Sequence, residues 1–109
     1  MNFHFNLYYI NSTMKPNYSL TIIESTQGNI LHYLIGVSNI WVRDLPDEQG
    51  KIEPRLSANL TVYDRNIEES NNQKVFVGSI IQLDDEKFRV TNIEEGSSTP
   101  GSLTLQRVS

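Results

Sequence analysis

Leu56-Ser-Ala-Asn-Leu-Thr-Val-Tyr63 is the stretch that decides the fold class of this chain. Small or aliphatic side chains occupy every second position, and polar or aromatic side chains fill the positions between them. Successive side chains of a β-strand point to opposite faces, so this pattern is typical of an antiparallel strand with one face in the core. The side chains predicted to be buried are Leu56, Ala58, Leu60 and Val62.

Further strand patterns lie on both sides of this stretch. Residues 18–24 are rich in β-branched side chains, and Ser25-Thr-Gln-Gly-Asn29 follows as a turn in which Gly28 and Asn29 could adopt positive φ. Residues 75–83 and 87–93 are predicted to pair across an acidic turn, with Phe88 and Val90 buried and with Val75, Val77, Ile81 and Leu83 on one face. Residues 95–101 form another turn, after which Leu103 and Leu105 alternate with polar residues. We therefore expect an all-β domain, a small antiparallel barrel or sandwich of six to seven strands.

Residues 30–42 are ambiguous, because their apolar side chains fit a helical period almost as well as a strand period. The glycine and β-branched residues weaken the helix, so we interpret this segment as a strand with a bulge or break near residues 36–39. Residues 44–54 are predicted to be a loop, because Pro46, Gly50 and Pro54 oppose a regular ladder. The polar residues 64–74 are predicted to be an exposed loop.

The length of 109 residues fits one domain, which we assign to residues 14–109. Residues 1–13 carry no charged side chain and are either an N-terminal extension or an edge strand. The chain has no cysteine, no apolar run of spanning length and no basic leader. These features predict a cytoplasmic protein with no membrane partner.

The charge balance disfavours nucleic acid as a partner. Nine basic residues stand against thirteen acidic ones, for a net charge of −4, and the basic residues are scattered singly along the sequence. A surface that neutralises phosphates needs clustered lysines and arginines. The sequence therefore predicts no binding of nucleic acid.

Candidate catalytic and metal-binding residues are few. The two histidines, His4 and His32, have no spacing typical of metal ligands, and each is more simply explained as a strand surface residue. The acidic pairs all fall in predicted turns, without the alternating oxygen pattern of a calcium loop. No nucleophile motif or phosphate-binding loop is present. We therefore expect neither enzymatic activity nor a cofactor.

Four residues are candidates for contact with a partner: Trp41, Leu45, Ile52 and Tyr63. Tryptophan is enriched at interfaces, although burial in the core is the simpler explanation for the single Trp41. The predicted loops 44–54 and 64–74 are long for a small β-domain, and Leu45 and Ile52 lie in the first of them. An alternative is a small-ligand-binding barrel whose mouth is lined by Trp41, Tyr33 and Tyr63.

One stretch resembles a known family. Phe76-Val-Gly-Ser-Ile-Ile-Gln-Leu-Asp-Asp-Glu-Lys-Phe-Arg-Val-Thr-Asn-Ile93 is similar to a hairpin in the head–tail joining (connector) proteins of tailed phages, which are small β-barrels. The turn from Glu95 to Gly101 and the final Leu103-Thr-Leu105 continue the likeness over the last third of the chain. Ser79 stands where that family usually has Asp. The resemblance implies a structural assembly protein, associated with the virion, that binds protein partners or itself and has no catalytic residues.

Overall fold

The computed structural model describes residues 18–47 and 49–108, and these residues form eight β-strands and no helix. The predicted strand at residues 1–13 lies outside the described residues. In chain order the strands are β1 (Ser19–Ile23), β2 (Gln27–Ile30), β3 (Tyr33–Pro46), β4 (Ile52–Asp64), β5 (Glu69–Phe76), β6 (Ile80–Leu83), β7 (Glu86–Glu94) and β8 (Ser102–Val108).

The strands form two antiparallel four-stranded sheets, with the orders β1-β8-β7-β6 and β2-β3-β4-β5. Within each sheet, strands that follow one another in the chain are neighbours, and β8 also lies next to β1, as in an up-and-down barrel. No ladder joins β1 to β2 or β5 to β6, so the barrel is not closed and the all-β prediction takes the form of a two-sheet sandwich. The structure has eight strands instead of six to seven, because β2 forms within and beyond a predicted turn and residues 75–83 are divided between two strands.

The core lies between the sheets and contains one cluster of apolar side chains. Phe88, Leu103 and Leu105 are fully buried, as the hairpin and terminal strand patterns predicted. The predicted hairpin is confirmed for β6 and β7, where Ile81 pairs with Phe88. It is wrong at its start, because Val75 belongs to the other sheet and Val77 is exposed in the turn between the sheets.

The ambiguous segment is a strand with a bulge, as predicted. The register of β3 against β4 shifts between Ser38 and Trp41, and Asn39 has a φ of 51°. The bulge turns Ile40 into the core and leaves Trp41 with 52% of its surface exposed. The expectation that Trp41 is a core residue is therefore wrong, because the extra residue changes which side chain faces inward.

Most residues of the two predicted loops are paired in β-ladders. Within residues 44–54, Asp44 pairs with Pro54 and Pro46 pairs with Ile52, so the turn is confined to residues 47–51. Proline is tolerated here because β2 pairs with β3 only as far as Gly36, which leaves the outer edge of β3 free.

The other predicted loop, residues 64–74, is a turn at residues 65–68 followed by β5, which pairs with β4 from Glu69 onward. The Gly28–Asn29 turn is also displaced. The bend follows β1 directly, with a φ of 69° at Ser25, and Gly28 lies within β2.

Candidate functional site

Beyond the bulge, β3 and β4 continue as a two-stranded ribbon. Their last shared pairs run from Trp41–Ser57 to Pro46–Ile52, whereas β5 pairs with β4 only up to Ser57. We call residues 42–56 the arm. No other described strand is hydrogen-bonded to either edge of the arm, so the arm extends past the four-stranded part of the sheet.

One face of the arm carries exposed apolar side chains, with the charged Asp44 among them. Leu56 has the same alternation as the buried Leu60 of β4, and its partner Val42 and the more distant Ile52 lie on the same face. Val42 is 56% and Ile52 59% exposed. The core-facing side of the sheet therefore continues along the arm without being covered by the other sheet.

The other face carries two arginines on aromatic rings. Arg43 and Arg55 are direct cross-strand partners. The Arg43 guanidinium lies 4.9 Å from the ring centroid of Trp41, and the Arg55 guanidinium lies 4.9 Å from that of Phe76. Stacking on an aromatic ring is a cation–π contact, which restrains the guanidinium without neutralising its charge.

Ser57 links the arginine face of the arm to the bulge of β3 through two hydrogen bonds. Its hydroxyl is fully buried, accepts a hydrogen bond from Nη1 of Arg43 at 2.5 Å and donates one to the main-chain oxygen of Trp41 at 3.2 Å. Alternation along β4 predicted a solvent-facing serine. The prediction failed because the arginines and aromatic rings on both sides cover the hydroxyl.

Three of the four predicted contact residues are at the arm. Trp41 lies at its base, Ile52 on its apolar face, and Leu45, which is half-buried, on the face of the arginines. Tyr63 is far along β4, in a shallow depression with Leu34. The sequence reasoning missed Arg43 and Arg55, whose twelve-residue separation becomes a direct pair only when the whole hairpin is extended.

A polar cluster occupies the opposite end of the sandwich. His32, in the turn between β2 and β3, lies with Nε2 3.3 Å from Asp64 and Nδ1 3.5 Å from Asp84. The hydroxyl of Tyr33 donates a hydrogen bond to Asp84 at 2.8 Å. Burial, the hydrogen bond to Asp84 and the nearby carboxylate charges raise the pKa of Tyr33 to about 12. The cluster therefore ties the turns of the two sheets together.

This cluster is not arranged as a metal centre. The two carboxylates lie on opposite nitrogens of the His32 ring, so they do not converge on one point. Among residues 18–47 and 49–108, no group of three histidine, cysteine or acidic side chains could hold an ion. The expectation that His32 is a plain surface residue missed these contacts, which join residues far apart in the sequence.

The aromatic residues proposed to line a ligand mouth do not come together. Tyr33 lines a cleft of about 250 Å³ at the seam between β5 and β6, with Asp64 and Glu69 among its polar neighbours. Tyr63 lines a different depression, and Trp41 is at the base of the arm. The geometry thus separates the three side chains on which the ligand-binding alternative depended.

In the part of the chain that the structure describes, there is no helix with the length and apolar character needed to cross a membrane. No protein-family model, no curated protein and no solved structure matches the chain. The comparisons therefore neither support nor oppose the resemblance to head–tail joining proteins.

Proposed function

We propose that this domain is a non-catalytic assembly module whose copies associate through the apolar face of the arm. The observation that carries the proposal is the exposure of Val42 and Ile52 on a ribbon that extends beyond its sheet. Grouped apolar side chains left in water mark interaction surfaces more often than scattered ones do.

A second copy is the partner with the simplest matching chemistry. An apolar stripe is complementary to the same stripe on another molecule, and closed homo-oligomers use such self-complementary surfaces. Pairing two arms would remove the Val42 and Ile52 side chains of both copies from water, and each buried aliphatic side chain contributes about 1.5–3 kcal/mol.

The resemblance of residues 76–93 and 95–105 to phage head–tail joining proteins supports the same class of function. In that reading the protein is a virion-associated structural component. The cysteine-free composition is compatible with a reducing compartment, and we propose the cytoplasm as the place where the protein folds and assembles.

The test compares two matched substitutions. Ile52→Asp places a charge on the apolar face of the arm, whereas Ile67→Asp places the same charge at an equally exposed position, 60% against 59%, in the turn before β5. We expect the parent and Ile67→Asp to form the same oligomer in sedimentation velocity, and Ile52→Asp to dissociate. Equal sedimentation of all three would contradict association through this face.

A further inference from the structure

The arginine face of the arm carries positive charge that no carboxylate of residues 18–47 and 49–108 pairs with. The Arg43 side chain donates one hydrogen bond, to Ser57, and the Arg55 side chain makes none to a described residue; neither has an ion pair with a described carboxylate. Nε of Arg55 is buried and has no acceptor among residues 18–47 and 49–108. Like charges directly opposite each other on neighbouring strands are destabilising, and a buried donor without an acceptor costs free energy.

The carboxylates of Asp47 and Glu53, which belong to the arm, form no ion pair with these arginines. Oδ1 of Asp47 accepts the main-chain amides of Gln49 and Lys51, each at 2.9 Å, and so closes the turn of the arm. Glu53 precedes Arg55 by two residues on the same face and pairs across the ladder with Leu45, with no ion pair to either arginine.

A groove of about 420 Å³ runs beside Arg55. It lies between the turn of the arm and the turn from β5 to β6, and it is lined by Pro46, Gln49, Arg55, Phe76 and Val77 together with Asp47 and Gly78. On the adjoining surface of β5, Lys74 is exposed and its alternation with the buried Val75 places it on the same side as Phe76. An extended segment in this groove would meet apolar side chains, the Arg55 guanidinium and polar side chains that include Asp47.

We propose that this groove binds an acidic peptide segment of a protein partner, with one carboxylate on Arg55 in the groove and another on Arg43, its cross-strand partner beside the groove. This proposal rests on the proposed function, since it adds a chemically defined partner to an assembly module. A guanidinium forms paired hydrogen bonds with a carboxylate, and stacking on Trp41 and Phe76 holds both guanidinium groups in place before binding. Tryptophan and arginine are also the residues that dominate the free energy of protein interfaces.

Single-stranded nucleic acid is the competing occupant. Its bases need free aromatic faces for stacking, and each ring here already carries a guanidinium group at 4.9 Å. The net charge of −4 also opposes a long polyanion that runs beyond this small cationic face. A short run of carboxylates needs no free aromatic face and does not run beyond the cationic face.

The experiment measures binding of a fluorescein-labelled hexaglutamate peptide by anisotropy at low salt. We expect Arg55→Gln and Arg43→Gln to weaken binding by about tenfold or more, since each removes a charge-assisted contact. Arg89→Gln is the matched control, because it removes the same charge from an exposed position on β7, in the other sheet. It should leave binding unchanged.

Several outcomes would overturn the proposal. One is that the parent does not bind hexaglutamate, and another is that Arg89→Gln loses as much affinity as the arginine variants of the arm. A third is that an oligothymidylate binds more tightly than hexaglutamate and depends on Arg55, which would assign the groove to nucleic acid. If Arg55→Gln does not fold, peptide binding by Arg43→Gln and Arg55→Lys tests the proposal instead. Arg55→Lys should keep part of the affinity, because lysine keeps the positive charge but lacks the planar guanidinium. Peptide binding is read separately from the oligomer of the Ile52→Asp test, so either proposal can fail alone.

Discussion

Replacing Ser57 with alanine should destabilise the domain far more than an ordinary serine substitution. The change removes the acceptor for Arg43 and the donor to the main-chain oxygen of Trp41 at the bulge. A hydrogen bond to a charged group contributes about 1.5–3 kcal/mol and a neutral one about 0.5–1.5 kcal/mol, so their joint loss is about 2–4 kcal/mol. For a domain of this size, that corresponds to a fall in Tm of about 10 °C or more.

The assay uses the single tryptophan as its reporter. Trp41 adjoins Ser57 across the ladder, so its fluorescence follows unfolding of this region and is compared with circular dichroism of the whole domain. Ser70→Ala is the control, because Ser70 is exposed on β5 and the structure shows no side-chain hydrogen bond for it. A Tm for Ser57→Ala equal to that of Ser70→Ala would refute the anchoring role of Ser57.

Three further predictions concern stability. Gly28→Ala should lower Tm, because a Cβ there would lie 2.8 Å from a leucine methyl of β1. At Gly36 the nearest atom to such a Cβ is 3.8 Å away, so Gly36→Ala should be neutral or stabilising. Equal Tm values for the two variants would be inconsistent with the close approach at Gly28. Phe88→Ala should cost about 3–5 kcal/mol in urea unfolding, and Ile80→Ala, at a 46% exposed site, much less. The pKa of Tyr33, raised from 10.0 to about 12, means that its contribution to stability is complete below pH 10 and is lost as the pH rises towards 12. The tyrosinate absorbance titration should therefore lose its late-titrating phenol in Tyr33→Phe, and an unchanged titration would show that another tyrosine is responsible.

The sequence predicted the elements whose pattern depends on local alternation. The strand that contains Leu60 and the last strand with Leu105 are confirmed, and the hairpin with Phe88 is confirmed for β6 and β7, because each places apolar side chains in the core. A bulge or break in residues 30–42 was also predicted, and the register shift between Ser38 and Trp41 confirms the bulge. These features depend on neighbouring residues, which the sequence displays directly.

The sequence failed where an element depends on distant partners. Pro46 and Pro54 oppose a central strand, but no other described strand pairs with the edges of the arm, which a single sequence does not reveal. Residues of β5 were predicted to be a loop because they are polar. They form a strand because they pair with β4, which is a contact that the local pattern does not show. The charged face of the arm was missed for the same reason, since Arg43 and Arg55 are far apart in sequence and the turn that joins them was expected to be irregular.

The most direct test of the assembly role is the mass in solution of a variant without the arm. Val42 and Leu56 are a directly opposed pair, so replacing residues 43–55 with Asn-Gly should close a two-residue hairpin and leave the sandwich intact. Sedimentation equilibrium over a wide range of concentration should show a self-associating parent and a folded, monomeric variant. A parent that stays monomeric, or an armless variant that associates as strongly as the parent, would contradict self-association through the arm.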